Sequence, residues 1–246
     1  MDNKLLLSTG EDIPFPEAQL TIHQPKITEI SYIGEESFFS ANQVLSLSKE
    51  KLADKDKTDL RDKTDFDIIM SVMNSLDNEY LKLKNNTLML LTLLFPDYKL
   101  KVTNDSILLM NENLSARINN LNYDVFKDIV RSMFKLEELD KSSKKYNPEG
   151  KRAERIAARF ENRKKNKEEK ESRKDLSIFD YYISILSVGL QKDRNQLKQY
   201  TVYQLIDEFN RYQKKVAYDS YVQIRLAGGT DIEEVENWMD DKENHS

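Results

Sequence analysis

Apolar residues recur at helical spacing through most of the chain, and this pattern restricts the fold to a helix-rich one. In the last fifth, one helix face is marked by Val202, Leu205, Ile206, Phe209 and Tyr212. A second series occupies residues 218–226 and ends at Gly228 and Gly229. Only 6 glycines occur and 33% of the residues are charged, which favours long helices with solvated faces over a sandwich or barrel. We therefore predict a mainly α protein whose last fifth forms helix, helix, turn, helix.

The residue types that catalytic and metal sites require are scarce. The chain has no cysteine, so disulfides, thiolate metal sites and cysteine nucleophiles are excluded. His23 is the only histidine outside the C-terminal end, and we interpret it as a hydrogen-bonded side chain in a proline-rich lead. No set of nucleophile, base and orienting group can be assembled. The sequence thus predicts a protein that is not an enzyme and has neither metal nor cofactor.

Membrane insertion and general attraction to nucleic acid are both disfavoured. The longest apolar run, LMLLTLLF at residues 88–95, is much shorter than the roughly 20 residues of a membrane span. The N-terminal leucines lack the basic flank and cleavage site of a signal peptide. The net charge is −5. We expect a cytoplasmic protein without a membrane partner.

The N-terminal half shows short helices after a proline-rich lead. Pro25 precedes predicted helices at residues 27–33 and 35–47, with Gly34 between them. Residues 48–63 alternate in charge and are interpreted as a linker, with a solvated helix as the alternative. These features predict a small N-terminal subdomain.

A helical hairpin, a β-hairpin and another helix are predicted next. Helices at residues 65–74 and 77–95 would begin with Asp65 and Asp77 as N-caps. Residues 98–111 alternate apolar and charged side chains around the turn signal Asn104-Asp105, which predicts one short β-hairpin. Helical spacing returns at residues 123–136.

The chain divides into three predicted regions. Residues 1–140 form a helical N-terminal domain with its hairpin, residues 141–175 a charged helical linker, and residues 176–246 a helical C-terminal domain. Residues 151–174 predict a long, exposed charged helix. Acidic residues interrupt the series of lysines and arginines in this segment, and Phe160 is its only aromatic residue. A solvated helix is therefore favoured over contact with nucleic acid.

The end of the C-terminal domain carries no phosphate-binding signature. Gly228-Gly229 lacks the context of a phosphate loop and is interpreted as a helix cap and turn before a helix that begins at Asp231. Trp238, the only tryptophan, would lie on that last helix, where packing in the core is favoured over a ligand platform.

Several segments together resemble a known family. They are IHQPKITEISYIGEESFF at residues 22–39, DFDIIMSVMN at 65–74, TVYQLIDEFNRYQ at 201–213, DSYVQIRLAGG at 219–229 and VENWMDD at 235–241. In this order they are similar to tail assembly chaperones of long-tailed phages and prophages of Gram-positive hosts. The resemblance implies a factor in the host cytoplasm that coats the helical tape measure protein and keeps it soluble. It would also bring tail tube subunits to the tape measure protein, self-associate along it, and be absent from the mature virion.

The C-terminal domain has more aromatic residues than a small helical core needs, which predicts a protein-binding surface on residues 179–190 and 201–226. The candidate contact residues are Phe179, Tyr182, Ile185, Leu186, Tyr203, Phe209, Tyr212, Tyr221 and Trp238. Two alternatives stay open. One is a structural virion protein of the tail completion or baseplate type, and the less favoured one is a nucleic-acid-binding packaging factor.

Overall fold

The structure is a computed structural model that describes residues 3–49, 62–112, 114–135, 177–228, 234, 235 and 237–239. The chain begins with helix α1 (Lys4–Thr9), strand β1 (Ile13–Phe15), a 3-10 turn (Pro16–Ala18) and strand β2 (Leu20–Ile22). Gly10 ends α1 in the left-handed conformation, with φ 75°. The strands pair antiparallel, and Ile13, Phe15, Leu20 and Ile22 all point into the core. None of these elements was predicted, because each is too short to show a period.

The next two helices confirm their predictions. Helix α2 (Ile27–Ile33) and helix α3 (Glu35–Leu45) are joined directly by Gly34, whose φ is 84°. A side chain would be strained at that angle, which explains why glycine separates the two helices. Residues 50–61 lie outside the described part of the chain, so the predicted linker at residues 48–63 is not tested.

Helix α4 (Asp65–Asn74) and helix α5 (Asn78–Leu94) follow as predicted, and α5 ends before Pro96. They contact each other as a helical hairpin, while α5 packs more extensively on α3. The predicted cap of α4 is wrong. Thr64 is the N-cap, because its hydroxyl accepts from the Asp67 backbone N–H while the Asp67 carboxylate accepts from the Thr64 backbone N–H. Asp65 is instead paired with Lys127.

The predicted hairpin forms, but it is part of a larger sheet. Strand β3 (Lys99–Val102) pairs with β4 (Ile107–Met110), and the turn is closed by hydrogen bonds between Thr103 and Ser106. Strand β5 (Ser115–Ile118) pairs with the other edge of β4. The prediction of a single hairpin was wrong in two ways. Strand β5 adds a third strand to the predicted hairpin, and β1 and β2 form a second hairpin. Four residues with two apolar side chains, Ala116 and Ile118, are too few to reveal β5.

The remaining helices are α6 (Tyr123–Phe134), α7 (Ile178–Leu190), α8 (Arg194–Leu197) and α9 (Val202–Leu226). Helix α9 is one continuous helix of 25 residues, where the pattern had indicated two. No glycine or proline lies between residues 212 and 218, so nothing interrupts the backbone hydrogen bonds. At the described positions of the last segment, residues 234, 235 and 237–239, the chain is a turn or irregular, and the predicted last helix is absent there.

One hydrophobic core joins the N-terminal and C-terminal portions. Phe38 of α3 contacts Phe134 of α6 with ring centroids 4.9 Å apart, and contacts Phe179 of α7 at 5.7 Å. The predicted N-terminal subdomain is therefore not separate from the rest of the core. Residues 136–176, which hold the predicted linker and its charged helix at 151–174, lie outside the described residues. Among the helices that the structure describes, none is long and apolar enough to cross a membrane.

Candidate functional site

Helix α7 is apolar on two opposite sides. One side is buried in the core through Phe179, Ile183 and Leu186, with exposures of 4%, 2% and 0%. The other side carries Ile178, Tyr181, Ile185 and Val188, which follow at i, i+3, i+7 and i+10 and so form one line along the helix. We name these four residues the α7 stripe. A helix that is apolar all round is normally buried all round, so an uncovered apolar side indicates a binding surface.

Three of the four residues of the α7 stripe are exposed to solvent, and the stripe has polar neighbours. Ile178, Tyr181 and Val188 are 42%, 55% and 80% exposed, and Ile185 is half-buried. Arg194 of α8 donates a hydrogen bond to the Ser184 hydroxyl at 3.1 Å and lies 4.0 Å from the Asp180 carboxylate. An apolar centre with a polar rim is the composition of protein–protein interfaces.

The N-terminal portion holds α7 in place. The Glu35 carboxylate of α3 accepts hydrogen bonds from the backbone N–H groups of Ile178 at 2.6 Å and Phe179 at 3.3 Å. The Ser177 hydroxyl accepts from the Asp180 backbone N–H at 3.0 Å. These groups satisfy donors that a helix N-terminus otherwise leaves unpaired. The stripe is therefore presented on a fixed helix.

Helix α9 packs on α7 with its first half. Thr201 and Gln204 form a capping box, and the next turns bury Val202, Leu205 and Phe209. The Tyr182 ring of α7 stacks on Phe209, with ring centroids 4.3 Å apart and an angle of 26° between the planes. Tyr181 of the stripe also contacts the Phe209 ring, with centroids 6.4 Å apart, and it remains 55% exposed.

Charged groups fasten α9 to the rest of the fold. The Asp207 carboxylate accepts from Lys135 at 2.9 Å and from Arg211 at 2.8 Å, and the Lys135 ammonium lies 4.3 Å from the Tyr203 ring centroid. Burial opposes the ionisation of Asp207, but the hydrogen bonds from Arg211 and Lys135 outweigh it and lower its pKa. An aspartate stabilised in its charged form is suited to anchoring rather than to proton transfer.

The structure corrects part of the predicted binding surface. Three of the nine predicted contact residues, Phe179, Leu186 and Phe209, lie in the core, so no partner can reach them in the folded protein. Four others are half-buried and packed against that core: Tyr182, Ile185, Tyr203 and Tyr212. Tyr221 and Trp238 are half-buried outside it, and Trp238 is thus not the predicted core residue.

Sequence reasoning did not single out the most exposed apolar residues of this region. Ile178 lies outside the predicted range of residues 179–190, and Val188 lies within it but was not selected. The signal was present, because Ile178, Tyr181, Ile185 and Val188 have the spacing of a helix face that differs from the face of Phe179, Ile183 and Leu186. Because this helix has two apolar faces, the core can cover only one of them, and the other is left for a different contact.

His23 has a structural role. Its Nδ1 lies 2.9 Å from the Asp12 carboxylate and its Nε2 3.2 Å from the Glu29 carboxylate, so the predicted hydrogen-bonded histidine is confirmed. Glu29 also accepts from the Lys26 backbone N–H at 2.7 Å at the start of α2. His23 therefore connects the residues before β1 to α2. Within the described ranges, no group of three or more histidine, aspartate or glutamate side chains is placed to hold a metal ion.

Comparison with known proteins places the C-terminal part of the chain near phage proteins. Residues 165–243 match the family model described as the YomV second domain, which is a phage-related family of the Bacillus prophage type. The matched range contains α7, α8 and α9, and thus the α7 stripe. Comparisons of the chain with curated proteins and with solved structures find no match.

Proposed function

We propose that this protein is a non-catalytic phage tail assembly chaperone that binds the helical tape measure protein through the α7 stripe. The observation that carries the proposal is the apolar line of Ile178, Tyr181, Ile185 and Val188, of which all but the half-buried Ile185 are exposed, on a helix whose opposite side is already buried. The resemblance of five segments to tail assembly chaperones and the match of residues 165–243 to a phage-related family support the same role.

An apolar line on a fixed helix suits an amphipathic helix as its partner. Such a client lays its apolar face along the stripe, with contacts at matching i, i+3 and i+7 positions. In doing so the chaperone covers surface on the client that otherwise aggregates. By this proposal the protein acts in the host cytoplasm, recruits tail tube subunits and is absent from the mature virion.

The free energies expected for burial and association indicate that one copy of the protein binds the client weakly. Complete burial of a large apolar side chain contributes about 1.5–3 kcal/mol, so four partly exposed residues supply only several kcal/mol. Association costs roughly 4–15 kcal/mol in lost freedom of motion. Stable coverage of a long client therefore requires several copies that act together, which agrees with self-association along the tape measure protein.

Substitution of two exposed residues of the stripe tests the proposal. We expect Tyr181→Ser together with Val188→Ser to lose the ability to keep a co-expressed tape measure protein soluble, because both contacts become polar. The readout is the soluble fraction of the client after co-expression. The matched control is Tyr32→Ser with Leu121→Ser, two residues that are 88% and 91% exposed elsewhere on the fold. A stripe variant that solubilises the client as well as the control does would refute the proposed site.

Point substitutions are preferable to deletion of the C-terminal portion. A chain that ends near Asp175 would lose Phe179, Leu186 and Leu205 from the shared core, so loss of client binding could reflect unfolding. Mass spectrometry of purified virions separates the proposed chaperone from a structural tail protein. Presence of the chain in the particle in tail-protein amounts would favour the structural role.

A further inference from the structure

The buried side of helix α9 continues beyond the part of the helix that the core covers. The first turns of the helix bury Val202 and Ile206. Five turns of an α-helix take about 18 residues, so Ser220 and Ile224 point in the same direction as Val202 and Ile206, five turns earlier. The residues of the second half that share this direction are Gln213, Val216, Ala217, Ser220, Gln223 and Ile224. We name these six residues the α9 seam.

Every residue of the α9 seam is exposed, and none is charged. Val216 and Ile224 are 44% and 48% exposed, although both are large apolar residues. The charged residues of positions 211–226 all lie off the seam, and they are Arg211, Lys214, Lys215, Asp219 and Arg225. In a chain with 33% charged residues, an uncharged side on an exposed helix indicates a surface that another helix covers.

The centre of the α9 seam can be covered without leaving a polar group unpaired. The Ser220 hydroxyl donates to the Val216 carbonyl of the same helix at 2.8 Å, so its hydrogen bond persists when water is removed. Asp219, which lies next to the seam, forms a salt bridge of 2.5 Å with Lys215 of the same helix. Ala217 and Ser220 have small side chains, which permit the close approach of a second helix.

The α9 seam is complementary to its own reverse. When two copies run antiparallel with Ser220 at the midpoint, Val216 of each copy lies opposite Ile224 of the other, as a two-fold axis requires. Antiparallel pairing also keeps the folded bodies apart, because the core-packed turns up to Phe209 then lie at opposite ends of the contact. Parallel pairing would bring the two bodies to the same place. These two properties favour a second copy of the chain over an unrelated helix.

We propose that the α9 seam is an interface between two copies of this protein, which pair antiparallel about a two-fold axis at Ser220. At 1.5 Å per residue the seam is roughly 17 Å long. A contact of this length is smaller than a standard protein interface, so the dimer dissociates on dilution. The inference concerns α9 alone and does not rest on binding of a client by the α7 stripe.

Sedimentation velocity of the full chain over a range of concentrations tests the dimer. We expect the unmodified protein to shift from monomer to dimer as its concentration rises. Val216→Glu with Ile224→Glu should weaken the dimer by at least roughly 100-fold, because it places like charges opposite each other. The matched control, Tyr32→Glu with Leu121→Glu, adds the same charges at residues that are 88% and 91% exposed, and it should dimerise as the unmodified chain does.

A single cysteine provides a second test, which traps even a weak dimer. The chain has no cysteine, so Ser220→Cys introduces the only thiol. Under mild oxidation we expect this variant to form a disulfide-linked dimer at least tenfold faster than Lys214→Cys. The thiol of the latter variant lies on a different side of α9, where the two copies are too far apart for a disulfide.

Three results would each overturn the proposal. They are an unmodified chain that stays monomeric at every concentration, a seam variant that dimerises as strongly as the control, and equal rates of cross-linking at residues 214 and 220. A chain that is monomeric by itself and binds the client through the seam gives the first of these results. Because no client is present in either experiment, the outcome is independent of whether the α7 stripe binds the tape measure protein.

Discussion

At the scale of single residues, a buried ion pair fixes the point where α3, α4 and α6 meet. The Lys127 ammonium of α6 donates to the Asp65 carboxylate at the start of α4, and Asp65 also accepts from the Lys49 backbone N–H at 2.8 Å. Beside it, the Tyr123 hydroxyl donates to the Leu45 carbonyl at 2.7 Å, and burial raises the Tyr123 pKa well above its usual value. Burial opposes the ionisation of Asp65, but the hydrogen bonds from Lys127 and Lys49 outweigh it and lower its pKa.

Asp65→Asn should destabilise the fold by about 1–3 kcal/mol at pH 7, because it leaves the Lys127 charge largely buried without its partner. The pKa of Asp65 is lowered in the folded state, so its stabilising contribution is present above about pH 4 and is lost as the pH falls through the folded pKa. Urea unfolding measured from pH 7 down to pH 2 should therefore show the difference between unmodified and variant protein narrowing below about pH 4.

Asp124→Asn is the matched control for this prediction. Its carboxylate lies 3.4 Å from the Lys127 ammonium but is 78% exposed, so its loss should cost less than about 1 kcal/mol. Equal effects of the two substitutions, or a difference at Asp65 that stays constant with pH, would contradict the role assigned to the buried pair.

At the scale of elements, the contact between α7 and α9 depends on a glycine inside a helix. Gly189 of α7 has no side chain, and a Cβ built there would lie 2.2 Å from Cζ and 2.4 Å from the hydroxyl oxygen of Tyr212. Glycine in a helix costs roughly 1 kcal/mol relative to alanine. A side chain at residue 189 would clash with the Tyr212 ring, which explains why the helix has a glycine at this position despite its lower helix propensity.

The effect of Gly189→Ala should depend on Tyr212. In the unmodified background the gain in helix propensity is offset by displacement of the ring, so we expect no stabilisation or a loss of about 1 kcal/mol. With Tyr212→Ala already present, the same change should stabilise the protein by about 0.5–1 kcal/mol. A double-mutant cycle by chemical denaturation measures this coupling. Stabilisation by Gly189→Ala in both backgrounds would show that the ring moves aside freely.

At the scale of the whole molecule, the N-terminal and C-terminal portions share one hydrophobic core. Phe39 of α3 stacks on Phe179 of α7 with ring centroids 5.5 Å apart. The backbone N–H groups of Ile27 and Thr28 donate to the carbonyls of Tyr200 and Lys198, each at 3.0 Å. Contacts of this kind link the two ends of the sequence independently of the residues between them.

Phe179→Ala should lower the free energy of unfolding by about 3–5 kcal/mol and destabilise both portions together. The far-UV circular dichroism signal and the Trp238 fluorescence should then report coincident transitions at a lower urea concentration than in the unmodified protein. Tyr32→Ala, at a residue 88% exposed, serves as the control and should change stability by less than about 0.5 kcal/mol. Separate transitions for the two signals would show that the C-terminal portion folds as an independent domain.

The sequence alone was sufficient for the elements whose pattern is long or sharply bounded. Helices α2, α3, α4, α5 and α6 have clear helical spacing, and Gly34 and Pro96 mark their ends because few conformations suit these two residue types. The hairpin of β3 and β4 was predictable from its alternation and its Asn104-Asp105 turn. These are local effects, so a short window of sequence contains them.

Tertiary structure alone determined the short elements and the choice of binding surface. α1, β1, β2 and β5 have three to six residues each and are stabilised by the core they contact, so their own sequences carry little signal. The surface residues were misjudged for a related reason. Helix α7 is apolar on both sides, and its period cannot tell which side is buried. Phe38 and Phe39, roughly 140 residues earlier in the chain, pack against Phe179 and thereby leave Tyr181 and Val188 to solvent.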